Sequence, residues 1–192
     1  MEDFVGIGFK AIWGALAAFW LWSARSAKPS SRTEPPLLQL AAYWAPLIIA
    51  FVLLGPGELF QGSILKERFV PKELWVKWLG LAIATSGVFL ACWSRRILGR
   101  NWSSVVQLKQ GHDLIDSGPY RYIRHPIYTG LLLAFVGTAL KVGDWRGLIA
   151  VVIVFASFWR KLRLEERWLK EQFGPTYATY MQRTKALVPG VL

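Results

Sequence analysis

The stretch Gly118-Pro119-Tyr120-Arg121-Tyr122-Ile123-Arg124-His125-Pro126-Ile127-Tyr128-Thr129-Gly130 decides how this chain is read. It is polar, aromatic and basic, and it ends where an apolar run begins. Pro126 suits the first turn of a helix, because a first-turn N–H has no intrahelical partner to lose. His125 and Tyr128 then fall at the mouth of an apolar helix, where a water-soluble reagent and a lipid-soluble one can meet. The free N–H groups and positive dipole end of such a terminus favour an anion.

Outward from this stretch the chain alternates apolar runs with polar segments. A membrane-spanning helix needs about 20 mostly apolar residues. Residues 4–22, 37–54 and 74–93 qualify, with Lys10 and Lys77 as their only charges, and Pro46 is expected to kink the second. Residues 127–142 and 145–159 are shorter apolar runs around a Gly143-Asp144 turn signal. They read either as a re-entrant hairpin or as two helices whose ends reach into the headgroup region. The second is preferred, because Tyr128 and Arg160 extend the helical pattern outward. Residues 160–173 continue the last run as a helix into water, Gly174-Pro175 stops it, and a short tail helix follows over 176–185. The expected fold is an all-α integral membrane protein with about five transmembrane helices. Residues 1–93 form three spans, and residues 94–192 a cytoplasmic loop, two further spans and C-terminal helices with a cofactor pocket on the cytoplasmic face.

Composition agrees. Of 192 residues 54% are hydrophobic, above the ordinary globular range, and the net charge is +11. An apolar and basic chain suits a membrane with an anionic leaflet. The basic residues lie between apolar runs and form no single arm, so no nucleic-acid partner is expected. Trp20, Trp22, Trp75, Trp78, Trp93, Trp145 and Trp159 flank the runs as an interfacial belt, whereas Trp13 and Trp44 are expected to pack between helices. The loop over 23–36 carries a net +2, that over 55–73 zero, that over 94–124 +4, and the tail after Trp159 +4. The positive-inside rule then puts the first loop, third loop and tail in the cytoplasm, with the N-terminus outside. Five spans satisfy that alternation. The acidic N-terminus has no basic n-region, so no cleaved signal peptide is expected. The lone Cys92 reads as a packing thiol.

The third loop and the tail therefore meet, and they hold most of the candidate polar groups: Gln107, His112, Asp113, Tyr120, Arg124, His125, Tyr128, Arg163, Glu165 and Glu166. His125 can act as a general base or as a hydrogen-bond donor to a carboxylate, against a plainer reading as a capping or interfacial histidine. Two histidines thirteen residues apart with no nearby cysteine give no metal site. Glu165 and Glu166 are about 100° apart on a helix, so one can face the site while the other faces solvent. Their plainer reading is two surface ion pairs, Glu165 with Lys161 and Glu166 with Lys170. Arg121 and Arg124 read equally as positive-inside residues on lipid phosphates. No GxGxxG follows a strand and no phosphate loop is present, so a nucleotide-like cofactor would bind outside a Rossmann fold.

Val105-Val106-Gln107, His112-Asp113-Leu114-Ile115, Ser117-Gly118-Pro119-Tyr120, Arg124-His125-Pro126-Ile127-Tyr128-Thr129-Gly130, Glu165-Glu166 and Phe173-Gly174-Pro175-Thr176-Tyr177, with Tyr180 and Arg183, together resemble the isoprenylcysteine carboxyl methyltransferase family. The wider group includes phospholipid N-methyltransferases. The resemblance covers residues 101–189, and its combination of motifs is more specific than any one of them. It implies an integral membrane methyltransferase that takes S-adenosyl-L-methionine and a lipophilic or prenylated acceptor entering from the bilayer lipids, with no metal. It implies that Gln107, His112, Asp113, Leu114, Ile115, Tyr120, His125, Pro126, Ile127, Tyr128, Glu165 and Glu166 hold the cofactor. The family's arginine one turn before the cofactor glutamate is thought to meet a substrate carboxylate. That position is Lys161 here, with Arg163 two residues on, so Lys161, Arg163 and His125 are the catalytic candidates. Lysine lacks the bidentate fork of arginine. Carboxyl O-methylation is the leading expectation. Phospholipid or amine N-methylation, an NADPH-dependent reductase resembling sterol reductases, and a non-catalytic membrane scaffold are the alternatives. The short N-terminal half suggests a prokaryotic plasma membrane.

Overall fold

The computed structural model describes residues 2–25, 30–99, 102, 107–109 and 114–191. These form α1 (Glu2–Ala24), α2 (Pro36–Gln39), α3 (Ala45–Leu54), α4 (Leu74–Leu98), α5 (Pro126–Val142), α6 (Trp145–Phe173) and α7 (Pro175–Arg183). The all-α expectation holds for the helical body and misses one small feature. Strands β1 (Ser30–Thr33) and β2 (Gln107–Lys109) pair antiparallel, with Arg32 opposite Leu108, and so tie the first loop to the third. The expected division at residue 93/94 falls inside α4.

Local chemistry sets the helix ends. Pro126 occupies the first turn of α5, with His125 as the residue before it. Gly143 closes α5 at φ +75, where a side chain would be strained, and its N–H bonds Ala139 O at 2.8 Å. Trp145 opens α6 two residues later, and α6 continues unbroken for 29 residues until Gly174. A π turn over Leu40–Trp44 joins α2 to α3, at the place where Pro46 predicts a kink. The wide turn gives the Ala45 N–H a bond to Leu40 O and absorbs the N–H that proline lacks. It also shifts the phase of the helix. Tyr43 is buried as a result, and Trp44, expected between helices, is 45% exposed.

The closest helix pair is α4 with α5. Gly80, Ala84, Gly87 and Ala91 face Gly130, Ala134 and Gly137. A Cβ on Gly87 would stand 2.4 Å from the Gly130 carbonyl oxygen, and one on Gly137 2.3 Å from that of Gly80. Small residues allow this approach where no hydrophobic drive distinguishes helix from lipid. α1 packs on this pair through Val5 and Phe9 against Ala84, and Leu16 against Val88 and Ala134. α3, α5 and α6 share a core of Ala50, Leu53, Phe135, Ala150, Val154 and Phe158.

Polar contacts define two ends of the bundle. At one end Arg68 meets Asp144 at 3.7 Å, and buried Arg146 donates to Leu53 O at 2.6 Å and Gly55 O at 2.8 Å. At the other, Arg95 donates to Ser23 O at 2.6 Å and Arg160 to Glu34 at 3.0 Å, while Arg124 bonds Thr184 O. The first loop, third loop and tail therefore gather at one end, and the near-neutral second loop and the α5–α6 turn at the other. Among the described residues, α1, α2 with α3, α4, α5 and α6 run between these ends. Phe4–Ala24, Pro36–Leu54 and Leu74–Leu98 are long and apolar enough to cross a membrane, and Pro126–Val142 is a shorter apolar helix.

Candidate active site

The end that gathers the basic loops contains a cavity of about 610 Å³. Its polar half is built on His125. The segment leading to His125 is held as an irregular strand beside the tail. Arg124 N–H donates to Lys185 O at 2.8 Å, His125 N–H to Ala186 O at 3.0 Å, and the Thr129 hydroxyl to Leu187 O at 2.7 Å. α7 returns the tail to this position, and Tyr180 donates its hydroxyl to Tyr120 O at 2.6 Å.

Glu165 and Glu166 both point inward, so neither is the solvent-facing member that a 100° separation allows. Glu165 Oε1 accepts from the Tyr128 hydroxyl at 2.7 Å, and its Oε2 lies 3.7 Å from His125 Nδ1. Glu166 Oε1 accepts from Arg124 Nε at 2.7 Å and from His125 Nε2 at 3.2 Å. Both carboxylates thus find partners on α5 and the segment that enters it, beyond the i±4 neighbours on their own helix. The two glutamates differ in access. Glu165 is 22% exposed and lines the cavity, whereas Glu166 is 8% exposed and stands behind it. Burial alone would raise the Glu166 carboxyl, but the hydrogen bonds and charges of His125 and Arg124 outweigh it and bring it down to about 2. Burial pushes the Tyr120 and Tyr177 phenols up, so both remain neutral hydrogen-bonding groups.

Aromatic rings order this half. His125 stacks on Tyr128 at 5.5 Å, and Tyr128 on Phe158 at 5.0 Å. Buried Lys161 projects between two rings, its Nζ 5.3 Å from the Tyr128 centroid and 5.4 Å from that of Tyr43. Both distances suit cation–π attraction. Tyr43 is itself fixed, since its hydroxyl bonds Glu34 and accepts from Arg160 at 2.7 Å.

The structure brings together Leu114, Ile115, Tyr120, His125, Ile127, Tyr128, Lys161 and Glu165 as cavity lining. Pro126 is buried beneath them as the helix start, and Glu166 supports His125 from behind. Arg163 is exposed and does not line the cavity, since it sits two residues from Lys161 on the other side of α6. Gln107 lies in β2, its side chain outside the described residues, as are His112 and Asp113. The sequence reading missed Tyr43, Glu34 and Arg160 as one cluster, because a glutamate in a polar linker carries no signal of burial. It also missed Trp102, which lines the cavity and carries Arg95 over its ring at 4.2 Å. Among the described residues, no group of three or more His, Cys, Asp or Glu is placed to hold a metal.

The apolar half lies deeper. It is walled by Leu16, Ala17 and Trp20 of α1, Leu47 of α3 and Leu131 of α5, and reaches the ring cluster of Trp13, Phe51 and Phe135. The cavity therefore joins a carboxylate-and-aromatic mouth to a hydrocarbon-like interior, and N-terminal helices supply much of its wall.

The sequence model of the phospholipid methyltransferase family matches residues 75–176. The chain is 32% identical over 165 residues to protein-S-isoprenylcysteine O-methyltransferase B of Arabidopsis thaliana, covering 84% of this chain and 81% of that protein. It is 26% identical over 160 residues to the protein-S-isoprenylcysteine O-methyltransferase of Schizosaccharomyces pombe, covering 77% and 67%. A solved eukaryotic intramembrane Ras methyltransferase, an isoprenylcysteine carboxyl methyltransferase, superposes with a TM-score of 0.58 at 21% identity, over 82% of this chain and 54% of that one. That likeness is one of fold, and this chain spans about half the length of that solved protein.

Proposed function

This chain belongs to the phospholipid methyltransferase family, and from that premise we propose that it methylates the carboxylate of a lipophilic, isoprenylcysteine-like acceptor with S-adenosyl-L-methionine. The observation that carries the reading is the pairing, in one cavity, of the Glu165 carboxylate with an apolar interior. The residues present fit the cofactor. Glu165 is a partly exposed carboxylate able to accept from a diol or balance a cation, and Tyr120, Tyr128, Tyr177 and Tyr180 offer flat faces. Leu114, Ile115 and Ile127 line the same wall, and Gln107, His112 and Asp113 belong to the adjoining loop in this reading.

S-Adenosyl-L-methionine, when bound, supplies an electrophilic methyl group on a sulfonium. The protein's role is positioning and exclusion of water. His125 acts through others: Glu166 fixes its Nε2 side, and its ring stacks on Tyr128, which in turn holds Glu165. Lys161 is the cation placed to orient an acceptor carboxylate. A carboxylate is already deprotonated at neutral pH, so this chemistry needs no strong general base. The cavity mouth faces the cytoplasm in this reading, five helices cross a prokaryotic plasma membrane, and residues 94–192 carry the cofactor site. The supporting observation is the gathering of the basic loops at one end.

Thermal unfolding of the detergent-solubilised protein with S-adenosyl-L-methionine, S-adenosylhomocysteine and NADPH tests the cofactor directly. A ligand that binds only the folded state raises Tm. Shifts with both adenosyl ligands and none with NADPH are expected. A shift with NADPH alone would replace this reading with a reductase.

A further inference from the structure

The cavity's deep end meets one aromatic ring from each of three helices, Trp13, Phe51 and Phe135, whose centroids lie 5.2 to 5.4 Å apart. Along each helix the lining stops there. Further from the mouth, buried Phe9, Leu53 and Thr138 on the same three helices do not line the cavity. Trp13 is the centre of this floor. Its ring meets Phe51 edge-on at 5.3 Å and Phe135 edge-on at 5.2 Å. Its Nε1 donates to the Thr138 hydroxyl at 3.1 Å, and that hydroxyl donates to Ala134 O at 2.7 Å. An indole N–H within an apolar bundle is costly unless paired, so the bond holds the ring in one orientation. A floor of leucines would flex, whereas a hydrogen-bonded indole between two ring edges does not.

We propose that Trp13, pinned by Thr138, is the specificity-determining stop for the acceptor's hydrocarbon chain. The inference rests on the reading of a lipophilic acceptor in this cavity and adds that the floor limits its length. A chain short enough to end on the indole is buried fully. A longer one must leave its surplus methylenes outside the cavity and gains nothing from them. Each additional buried methylene contributes a similar increment of apolar burial. Affinity should therefore rise with chain length and then level off at the length that reaches Trp13.

N-acetyl-S-isoprenyl-cysteines with 5, 10, 15 and 20 carbon chains, as a graded probe series, test this on the full-length protein with S-adenosylhomocysteine present. Thermal stabilisation is read without turnover, and kcat/KM for methyl transfer is read separately. Wild type is expected to plateau within the series, and Trp13→Ala to move the plateau at least one step longer. The kcat/KM ratio of the long to the short acceptor should rise at least about tenfold, the gain from burying roughly two of the carbons in one further isoprene unit. Thr138→Val, which removes the hydroxyl and keeps the shape, should shift the ratio the same way by less. The adenosyl-induced stabilisation of each variant reports whether it is folded. A folded Trp13→Ala protein with the wild-type length profile, or with equal losses on all four probes, overturns the floor. Binding that plateaus without methyl transfer would instead overturn the proposed reaction and leave the floor standing.

Discussion

Glu166 is a carboxylate that touches Arg124 and His125, is nearly buried, and does not line the cavity. Its carboxyl is held at about 2 against an ordinary 4.5. A depressed carboxyl contributes stability above its unfolded value, and that contribution is lost as pH falls toward the folded one. The wild-type Tm should therefore drop between about pH 4.5 and 2, and Glu166→Gln should flatten the profile over that range. At neutral pH the same variant leaves the buried Arg124 guanidinium short of a counter-charge and should cost about 3 kcal/mol, measured by denaturant unfolding. Glu165 differs, because it opens to the cavity. Glu165→Gln keeps shape and loses charge. It should abolish the Tm shift with S-adenosyl-L-methionine while unliganded stability stays within about 1 kcal/mol of wild type; a full ligand shift would remove Glu165 from the site. His125, Tyr128 and both glutamates were legible as candidates in the sequence. The orientation of Glu166 was not, because helical i±4 logic sees only the element that carries the residue. Lys161 was implied only by the family resemblance, and the Tyr43 ring above it depends on a π turn that no local pattern announces.

At the scale of elements, the α4–α5 seam is where this fold is least tolerant. Gly87 and Gly130 approach backbone to backbone, as do Gly80 and Gly137. A side chain at either level must push apart the two helices, one of which carries the site's entry segment at its end. Gly87→Val and Gly137→Val should each destabilise by roughly 3 kcal/mol, at the upper end for overpacking. Ligand shifts should be lost with them, since Tyr120 donates to Ser94 O of α4 from the segment that feeds α5. Thermal unfolding in detergent checks both; an unchanged Tm for Gly87→Val would contradict the seam. By contrast Gly6 and Gly14 have open space around an added Cβ and serve as controls. The helix ends themselves were readable. Pro126, Gly143 and Gly174-Pro175 are strong punctuation, and each marks an observed boundary. The β1–β2 pairing was not readable, since two short polar strands only become strands when their loops are brought together.

For the whole molecule, charge alternation expected the first loop, the third loop and the tail on one side, and the ion pairs Glu34–Arg160 and Arg124–Glu166 bring them there. Which helices wall the cavity was not legible, because α1 and α3 contribute only apolar residues whose pattern also fits lipid-facing helices. The arrangement makes a topology prediction. In a Cys92→Ala background, Ser117→Cys and Ser63→Cys should label from opposite faces of intact membrane vesicles, with Ser117→Cys on the cytoplasmic face. Labelling of both from one side would contradict the five-pass bundle. The most direct measurement supplies membranes containing the protein with methyl-labelled S-adenosyl-L-methionine and an N-acetyl-S-isoprenyl-cysteine, followed by treatment of the lipid product with base. A methyl ester releases its label as volatile methanol, and this account predicts that release, dependent on Glu165. Label that stays in a base-stable product would place the methyl on nitrogen, and no acceptor-dependent label at all would contradict methylation of a lipophilic carboxylate.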